Sequence, residues 1–572
     1  MADEPQNGGA LLARLLSLYG FEYVFGVPSE APELITPLWR SQSPQYVVLR
    51  DERAGPFAAN VYARLTGRVA VLDAAPSVGS LLMIPGLAEA LNASVPMLAL
   101  FTDVSQLAGP RRDRGVWNQS TEQAAIIRPA VKYCAAVPRV EGLPAYLAYA
   151  LRIATSGRPG PVALVIPADV LAADATGVDQ GLVRPELTTF PGVRRAPDVV
   201  SVDQAATWIS QSDRPVILAG GGAILSGAGT EITEFAESLS VPLATTITGS
   251  GVIDERHALA LGTAGFYGVD SASRALERAD TILMVGAKGS GYSTWMWRYP
   301  RADQRVVRLD VDDADPGEIY YESVTLLGDA KLGLVSLGKA LKGKALERVD
   351  RTPWLLEVQQ LKQDWDGRRS SYLSLPDEGS RLTSAKDLVA ELDRRMGEGN
   401  VLICEASAAT GWASLVRMKS GAQRIAFRGL GVLGGTIGGA LGACLAVRSE
   451  RTVVQLSGDG AMGYQLGEMA SIARLGLKVI SIVLNNSALG AVRIWPGMPP
   501  EIGDIGDIDF SSVAVACGWD GFHVSEVGEL APALDAAFKT TRPALVDVRV
   551  HPDEWAELAF RDGRLVPPYD GS

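Results

Sequence analysis

Short apolar runs rich in β-branched residues alternate along the chain with longer segments in which apolar residues recur every three or four positions. That alternation predicts parallel strands covered by helices. Three series separate. The first holds Glu22 to Phe25, Tyr46 to Leu49, Val69 to Leu72, Pro96 to Leu100 and Val162 to Ile166, closing near Ala175. A stretch punctuated by Pro, Gly and Arg, Gly177 to Pro197, reads as linker. The second holds Pro215 to Ala219, Pro242 to Thr245, Thr281 to Val285 and Arg305 to Leu309, and a charged segment around Arg348 to Arg381 follows it. The third holds Val401 to Cys404, Arg424 to Phe427, Thr452 to Leu456, Lys478 to Leu484 and Ala544 to Val548. The expected fold class is therefore α/β, with three doubly wound parallel-sheet domains at 9–175, 198–341 and 382–550. RPGPVALVIPAD (158–169) resembles RPALVDVRVHPD (542–553), which predicts two similar domains flanking a different one.

Length agrees, since 572 residues exceed what one hydrophobic core serves. A net charge of −12 spread along the chain offers nucleic acid no basic face. Four cysteines (Cys134, Cys404, Cys444, Cys517) without CxxC spacing point to neither a disulfide framework nor a zinc site, and fit a reducing cytoplasm. Met1 to Gly9 is polar and acidic, unlike a signal peptide, and is expected to fray. Gly429 to Val447 carries no charge over 19 residues, long enough to raise the membrane question. Seven of those residues are glycines, so the expectation is a helix packed closely inside the protein, with no membrane span.

In open α/β sheets ligands sit beyond the carboxyl ends of strands. Thr452 to Leu456 runs into Ser457-Gly458-Asp459-Gly460, and Lys478 to Leu484 runs into Asn485-Asn486-Ser487-Ala488. The 24 residues between Gly460 and Asn485 suffice for one helix and a returning strand, which brings both motifs to adjacent strand ends. Asp459 and Asn486 offer hard oxygen ligands for Mg²⁺, while the glycines free backbone N–H groups for phosphate. A metal-bound diphosphate is the ligand this chemistry suits; either motif alone would be only a turn or a helix cap.

GDGAMGYQLGEMASIARLGLKVISIVLNN resembles the signature of the thiamine-diphosphate-dependent family that includes acetolactate synthase, benzaldehyde lyase and the 2-oxo acid decarboxylases. The likeness runs from about Ala10 to Val550, in the family's order of pyrimidine-binding, central and diphosphate-binding domains. It implies thiamine diphosphate as cofactor, with Asp459, Asn486 and the Ala488 carbonyl on the metal and Gly458, Gly460 and Ala461 against the diphosphate. RDERAGPFAANVYARLTG (50–67) matches a second family element and implies Glu52 as the acid that bonds the cofactor's aminopyrimidine ring at N1′, with Asp51 where many relatives carry histidine. GLGVLGG (429–435) matches a third: Leu433 would sit beneath the cofactor, and the Gly431 carbonyl and Leu433 amide would bind its aminopyrimidine. In the family the acid and the metal ligands of one site come from different subunits, so the resemblance implies a homodimer or homotetramer with active sites at the interface. GGGA (220–223), LGTAGFYG (261–268) and LDVDDADPG (309–317) look like the nucleotide-holding segments of flavin-containing relatives, which implies FAD as an optional cofactor because relatives keep the fold without it.

Decarboxylases of the family use pocket histidines as proton shuttles, a task suited to imidazole. His257, His523 and His551 are the three histidines here, and none falls on a matching pocket motif. Acetolactate synthase matches better, through Gln119 in PRRDRGVWNQ and a pocket tryptophan at Trp495, although Asn118 and Ala168 stand where it carries phenylalanine and lysine. Glu30, in FGVPSEAPEL, falls on a loop that reaches the reacting carbonyl in relatives and is the candidate second proton donor, its pKa raised by burial beside an apolar pocket. Asp73 and Ser77, around the loop AAPSVGS, are candidate pocket residues. The resulting expectation is a carbon–carbon lyase or carboligase of acetolactate-synthase type acting on a small carbonyl substrate: a 2-oxo acid, diketone or 2-hydroxy ketone. The alternatives are a non-oxidative 2-oxo acid decarboxylase, a 2-hydroxyacyl-CoA lyase and, from another class, a catalytically silent regulatory subunit.

Overall fold

Every apolar run named above becomes a strand, and four further strands join them in the computed structural model, which describes residues 5–41, 43–181, 183–313, 320, 322–343, 349–374, 383–493 and 497–556. The first sheet holds β1 (Tyr23–Gly26), β2 (Gln45–Val48), β3 (Ala70–Ala74), β4 (Met97–Asp103), β5 (Tyr133–Ala136) and β6 (Val162–Pro167), in the order β2-β1-β3-β4-β6-β5. The second holds β7 (Pro215–Ala219), β8 (Leu243–Thr245), β9 (Ala260–Thr263), β10 (Thr281–Val285), β11 (Arg305–Asp310) and β12 (Glu322–Leu327), in the order β12-β11-β10-β7-β8-β9. The third holds β13 (Val401–Cys404), β14 (Gln423–Ala426), β15 (Val453–Gly458), β16 (Ile480–Asn485), β17 (Asp520–Val524) and β18 (Ala544–Arg549), in the order β14-β13-β15-β16-β18-β17. All ladders are parallel; for example Gly26 pairs with both Val48 and Asp73. The first and third sheets share one strand order and the second has another, which meets the expectation drawn from the two matching strand ends.

Contacts group the chain into two compact units. One comprises Met1–Val193, Phe427–Glu450 and Tyr464–Lys478; the other comprises Arg194–Ala426, Arg451–Gly463 and Val479–Ser572. In the second unit alternate residues of β7 bury on opposite sides. Val216 and Leu218 join a cluster that continues to Leu402, Val454 and Ile482, while Ile217 packs with Leu283 and Val307 in another. Both faces are thus covered, as a parallel sheet requires. The charged segment after β12 contains a helix, Thr352–Ser374.

The uncharged, glycine-rich stretch is helical only over Thr436–Val447. Residues 429–435 form a loop in which Gly431 and Gly434 take φ of +81°, a left-handed conformation that breaks the helix pattern there. The helix packs on Ala54–Thr66 of the same unit at backbone distance. A Cβ on Gly438 would lie 2.7 Å from the Ala54 carbonyl oxygen, and one on Gly442 would collide with that of Ala58. Close packing accounts for the glycines of the helix, and among the described residues no helix is long and apolar enough to cross a membrane.

Candidate active site

In the first sheet the chain reverses direction of travel between β1 and β3, and the loops after β1, β2 and β3 emerge side by side. Glu52 lies in the turn after β2, just before the helix Ala54–Thr66. Its carboxylate lies over Gly79, where a Cβ would stand 3.2 Å from Glu52 Oε1. Gly79 stands two residues beyond Ser77, a non-glycine residue at φ 59° and ψ −95°. A buried glutamine holds Ser77 in that strained conformation: Gln123 Oε1 accepts from the Ser77 N–H (2.8 Å) and the Ser80 hydroxyl, and Gln123 Nε2 donates to Thr102 O (3.0 Å). Gln119, the glutamine expected at the site, is half-buried with φ 59° and makes none of these bonds.

Asp73 is fully buried at the end of β3. Tyr46 donates to its Oδ2 at 2.6 Å, the Ser29 hydroxyl to its Oδ1 at 3.2 Å, and the Ser29 N–H to Oδ2 at 3.3 Å. Ser29, on the loop after β1, therefore turns inward while Glu30 beside it is exposed. This corrects the premise of a buried Glu30: within this chain Ser29 takes the inward position and Glu30 stays exposed.

Burial pushes the Asp73 carboxyl up to about 6, against the lowering effect of Tyr46 and Ser29. The folded state thus keeps a proton that the unfolded chain has already lost. The contribution of Asp73 to stability is greatest below about pH 4 and falls as pH rises to about 6, by at most about 3 kcal/mol. Urea denaturation at pH 4 and pH 7 should show the difference between Asp73→Asn and wild type shifting in the variant's favour as pH rises. A difference that stays the same at both pH values would show that Asp73 does not carry this cost.

The loop 429–435 is held by another buried carboxylate of this unit, since Glu89 accepts from the N–H groups of Gly429 (2.8 Å) and Leu430 (2.6 Å). Gly431 is exposed and Leu433 half-buried.

In the second unit β15 and β16 are neighbours, and each ends in one of the two motifs. Asp459 opens a short helix and is 4% exposed. Its Oδ1 accepts from Gly460 N (2.8 Å) and its Oδ2 from Ala488 N (3.1 Å). The same Ala488 N–H lies 3.2 Å from Asn486 Oδ1, so the carboxylate and the amide oxygen converge. The adjacent asparagine is taken up elsewhere: Asn485 Nδ2 donates to Ile508 O and to the buried Asp547, 2.9 Å each. Burial pushes Asp459 up to about 6, against the lowering effect of the Gly460 and Ala488 N–H groups. Asp459, Asn486 and the Ala488 carbonyl are all-oxygen donors that suit Mg²⁺. Gly458 has ordinary dihedrals and a Cβ there would meet nothing within 4 Å, so its bareness leaves room for a ligand. A side chain on Gly460 would meet Leu489 instead, and Ala461 is buried.

The three histidines all lie in this second unit. His257 pairs with Glu237, His551 Nδ1 accepts from Asp553 N, and His523 stands 3.8 Å from Asp547. Asp509, His523 and Asp547 come within 4.8 Å of one another, but both carboxylates are engaged, Asp509 in capping a helix and Asp547 in holding Asn485 and Phe510 N. Trp495 lies outside the described residues, as do residues 314–317 of the third nucleotide-like segment. In GGGA the Gly220 and Gly222 N–H groups donate to Val285 O and Gly286 O, so that turn spends two of its donors on packing.

Sequence comparison places three domain descriptions in order along the chain. Residues 6–124 match "Thiamine pyrophosphate enzyme, N-terminal TPP binding domain", 202–337 match its central domain, and 406–548 match its C-terminal TPP binding domain. A probable acetolactate synthase large subunit of Methanocaldococcus jannaschii is 28% identical over 98% of this chain and 94% of its own. The acetolactate synthase large subunit of Corynebacterium glutamicum is 28% identical over 96% and 88%, and the chloroplastic acetolactate synthase 3 of Brassica napus is 30% identical over 96% and 82%.

Proposed function

The chain belongs to the thiamine pyrophosphate (thiamine diphosphate) enzyme family, and from that premise we propose that it is a Mg²⁺-dependent carboligase or lyase of acetolactate-synthase type, acting on a 2-oxo acid, diketone or 2-hydroxy ketone. The observation that carries the reading is the convergence of Asp459 Oδ2 and Asn486 Oδ1 on the Ala488 N–H. When bound, thiamine diphosphate supplies a carbon nucleophile that adds to a carbonyl and holds the electrons released when the neighbouring bond breaks.

The residues of this chain do the rest. Asp459, Asn486 and the Ala488 carbonyl hold the metal, with the bare Gly458 and the Gly460–Ala461 turn facing the diphosphate. Glu52 holds and moves a proton at the aminopyrimidine, and Leu433 with the Gly431 carbonyl supports that ring. Ser77 sits beside Gly79 and Glu52, a placement that supports its role at the pocket wall. Glu30, exposed on the neighbouring loop, and Gln119 are the side chains left to meet substrate, and Asp73 acts behind them by fixing Ser29. The flavin reading gains no support from GGGA, where the Gly220 and Gly222 N–H groups are bonded to backbone, and the proposed reaction needs no step through FAD. A homodimer pairing into a tetramer, with each site shared between subunits, and a cytoplasmic location complete the reading; the four free cysteines fit a reducing compartment.

The test is product identification. Pure protein with thiamine diphosphate, Mg²⁺ and a panel of 2-oxo acids, diketones and acyloins should consume at least one member and release a cleaved or ligated product. Cofactor binding with no turnover on the whole panel would favour the silent-subunit reading instead.

A further inference from the structure

A buried glutamate from the diphosphate-motif region grips the turn that carries Glu52. The helix Glu468–Arg474 lies in the first unit, where it holds the chain leaving β2 at two points. At one end Glu468 Oε1 accepts from two successive backbone N–H groups, Arg50 (2.5 Å) and Asp51 (2.7 Å). At the other, Arg474 donates to Val48 O at 2.6 Å. Glu468 is wholly buried. Within the turn Asp51 accepts from the Arg53 N–H and guanidinium, and Arg53 reaches Tyr464 O. Residues 48–53 are thereby fixed at both ends, and Glu52 is the member whose side chain leaves the turn toward Gly79.

From this geometry we propose that Glu468 is a positioning residue for Glu52, its carboxylate fixing the Arg50–Asp51 backbone so that the Glu52 carboxyl is delivered at one height and angle. The inference rests on the reading of Glu52 as the acid at the aminopyrimidine. Two adjacent N–H groups aimed at one oxygen make a charge-assisted pair whose loss frees the turn, and a displacement of about 1 Å at a reacting group costs on the order of a hundredfold in rate. Burial raises the proton affinity of Glu468, and the two N–H groups work against that rise, in keeping with their holding the charged form.

Three variants separate positioning from bulk stability. Glu468→Gln keeps an amide oxygen that can accept both N–H groups, Glu468→Ala removes the acceptor, and Glu468→Asp, which serves if the alanine protein does not fold, withdraws it by one methylene. In the cofactor-free protein, hydrogen exchange of a peptide spanning Arg50 and Asp51 should rise about tenfold or more in the alanine or aspartate variant and stay near wild type in the glutamine variant. Thiamine diphosphate affinity in Mg²⁺ should change less than about threefold, because the metal and diphosphate contacts are untouched. Exchange of the cofactor's C2 proton should slow about tenfold to a hundredfold in the alanine or aspartate variant and recover in glutamine. Glu52→Gln combined with Glu468→Ala should be no slower than Glu52→Gln alone. Wild-type C2 exchange in the alanine and aspartate variants, failure of glutamine to restore it, or an additive double mutant each overturns the inference while leaving Glu52 in its role. If Glu52→Gln itself exchanges at the wild-type rate, the reading beneath the inference falls, and the inference with it.

Discussion

Asp459→Ala protein should bind thiamine diphosphate at least a hundredfold more weakly than wild type in the presence of Mg²⁺, and the wild type should behave like the variant once EDTA removes the metal. Asp459 is the one charged donor in the set it forms with Asn486 and the Ala488 carbonyl. Without it the site keeps two neutral dipoles, too little to hold a divalent cation against its own hydration. The same carboxylate accepts from Gly460 N and Ala488 N, so alanine also loosens the two loops that face each other across β15 and β16. A loss of binding through unfolding is separable from this. Burial works against the Asp459 charge and offsets in part the bonds lost at Gly460 N and Ala488 N, so thermal unfolding of the two cofactor-free proteins, compared directly, shows whether the variant is folded. Calorimetric titration of cofactor into both proteins, with and without Mg²⁺, reads the effect directly. Undiminished affinity in Asp459→Ala or in EDTA would rule out the metal-bridged diphosphate.

The two motifs proposed to hold the metal were legible because they are local. A strand end, a carboxylate and a neighbouring amide fall within a few residues of each run, and parallel topology carries them to adjacent positions. The strands that pattern reading missed share one property: β5, β9, β12 and β17 each lie at a sheet edge. Edge strands bury one side poorly, so their residues are mixed; β17 is DGFHV, with His523 exposed, and lacks a continuous apolar run. The central strands, buried on both faces, carry uninterrupted signals.

The supporting residues were illegible for a different reason. Gln123 acts on Ser77 across 46 positions, Glu89 on Gly429 across 340 and Glu468 on Asp51 across 417. No spacing rule spans such separations. The trace available was a lone charge in apolar surroundings, as at Glu89 within IPGLAEALNA, which asks for a buried partner without saying where. At Glu30 only the expected burial fails within this chain: the loop's inward side chain is Ser29, and Asp73 is the group that burial perturbs.

Glu52→Gln should hold thiamine diphosphate within about tenfold of the wild-type affinity and yet exchange the cofactor's C2 proton at least about a hundredfold more slowly, the scale of losing an acid–base partner. The two halves of this expectation follow from what glutamine keeps and what it lacks. It has nearly the length and shape of glutamate, so the space over Gly79 is filled as before, and its amide N–H can still bond the aminopyrimidine nitrogen. It has no proton to deliver or recover at neutral pH, so the ring tautomer on which C2 deprotonation depends is no longer favoured. Placement supports this assignment over a surface role: the residue leaves a turn fixed by Glu468 and Asp51, and its carboxylate sits beside the strained Ser77 loop that Gln123 holds. Glu52→Asp is the informative companion, since it keeps the acid but retracts it by one methylene, and should fall between wild type and glutamine. Proton NMR of cofactor quenched after deuterium exchange gives the rates for all three proteins. Wild-type exchange in Glu52→Gln would remove Glu52 from the chemistry and send the search for the acid to Glu30, on the loop after β1.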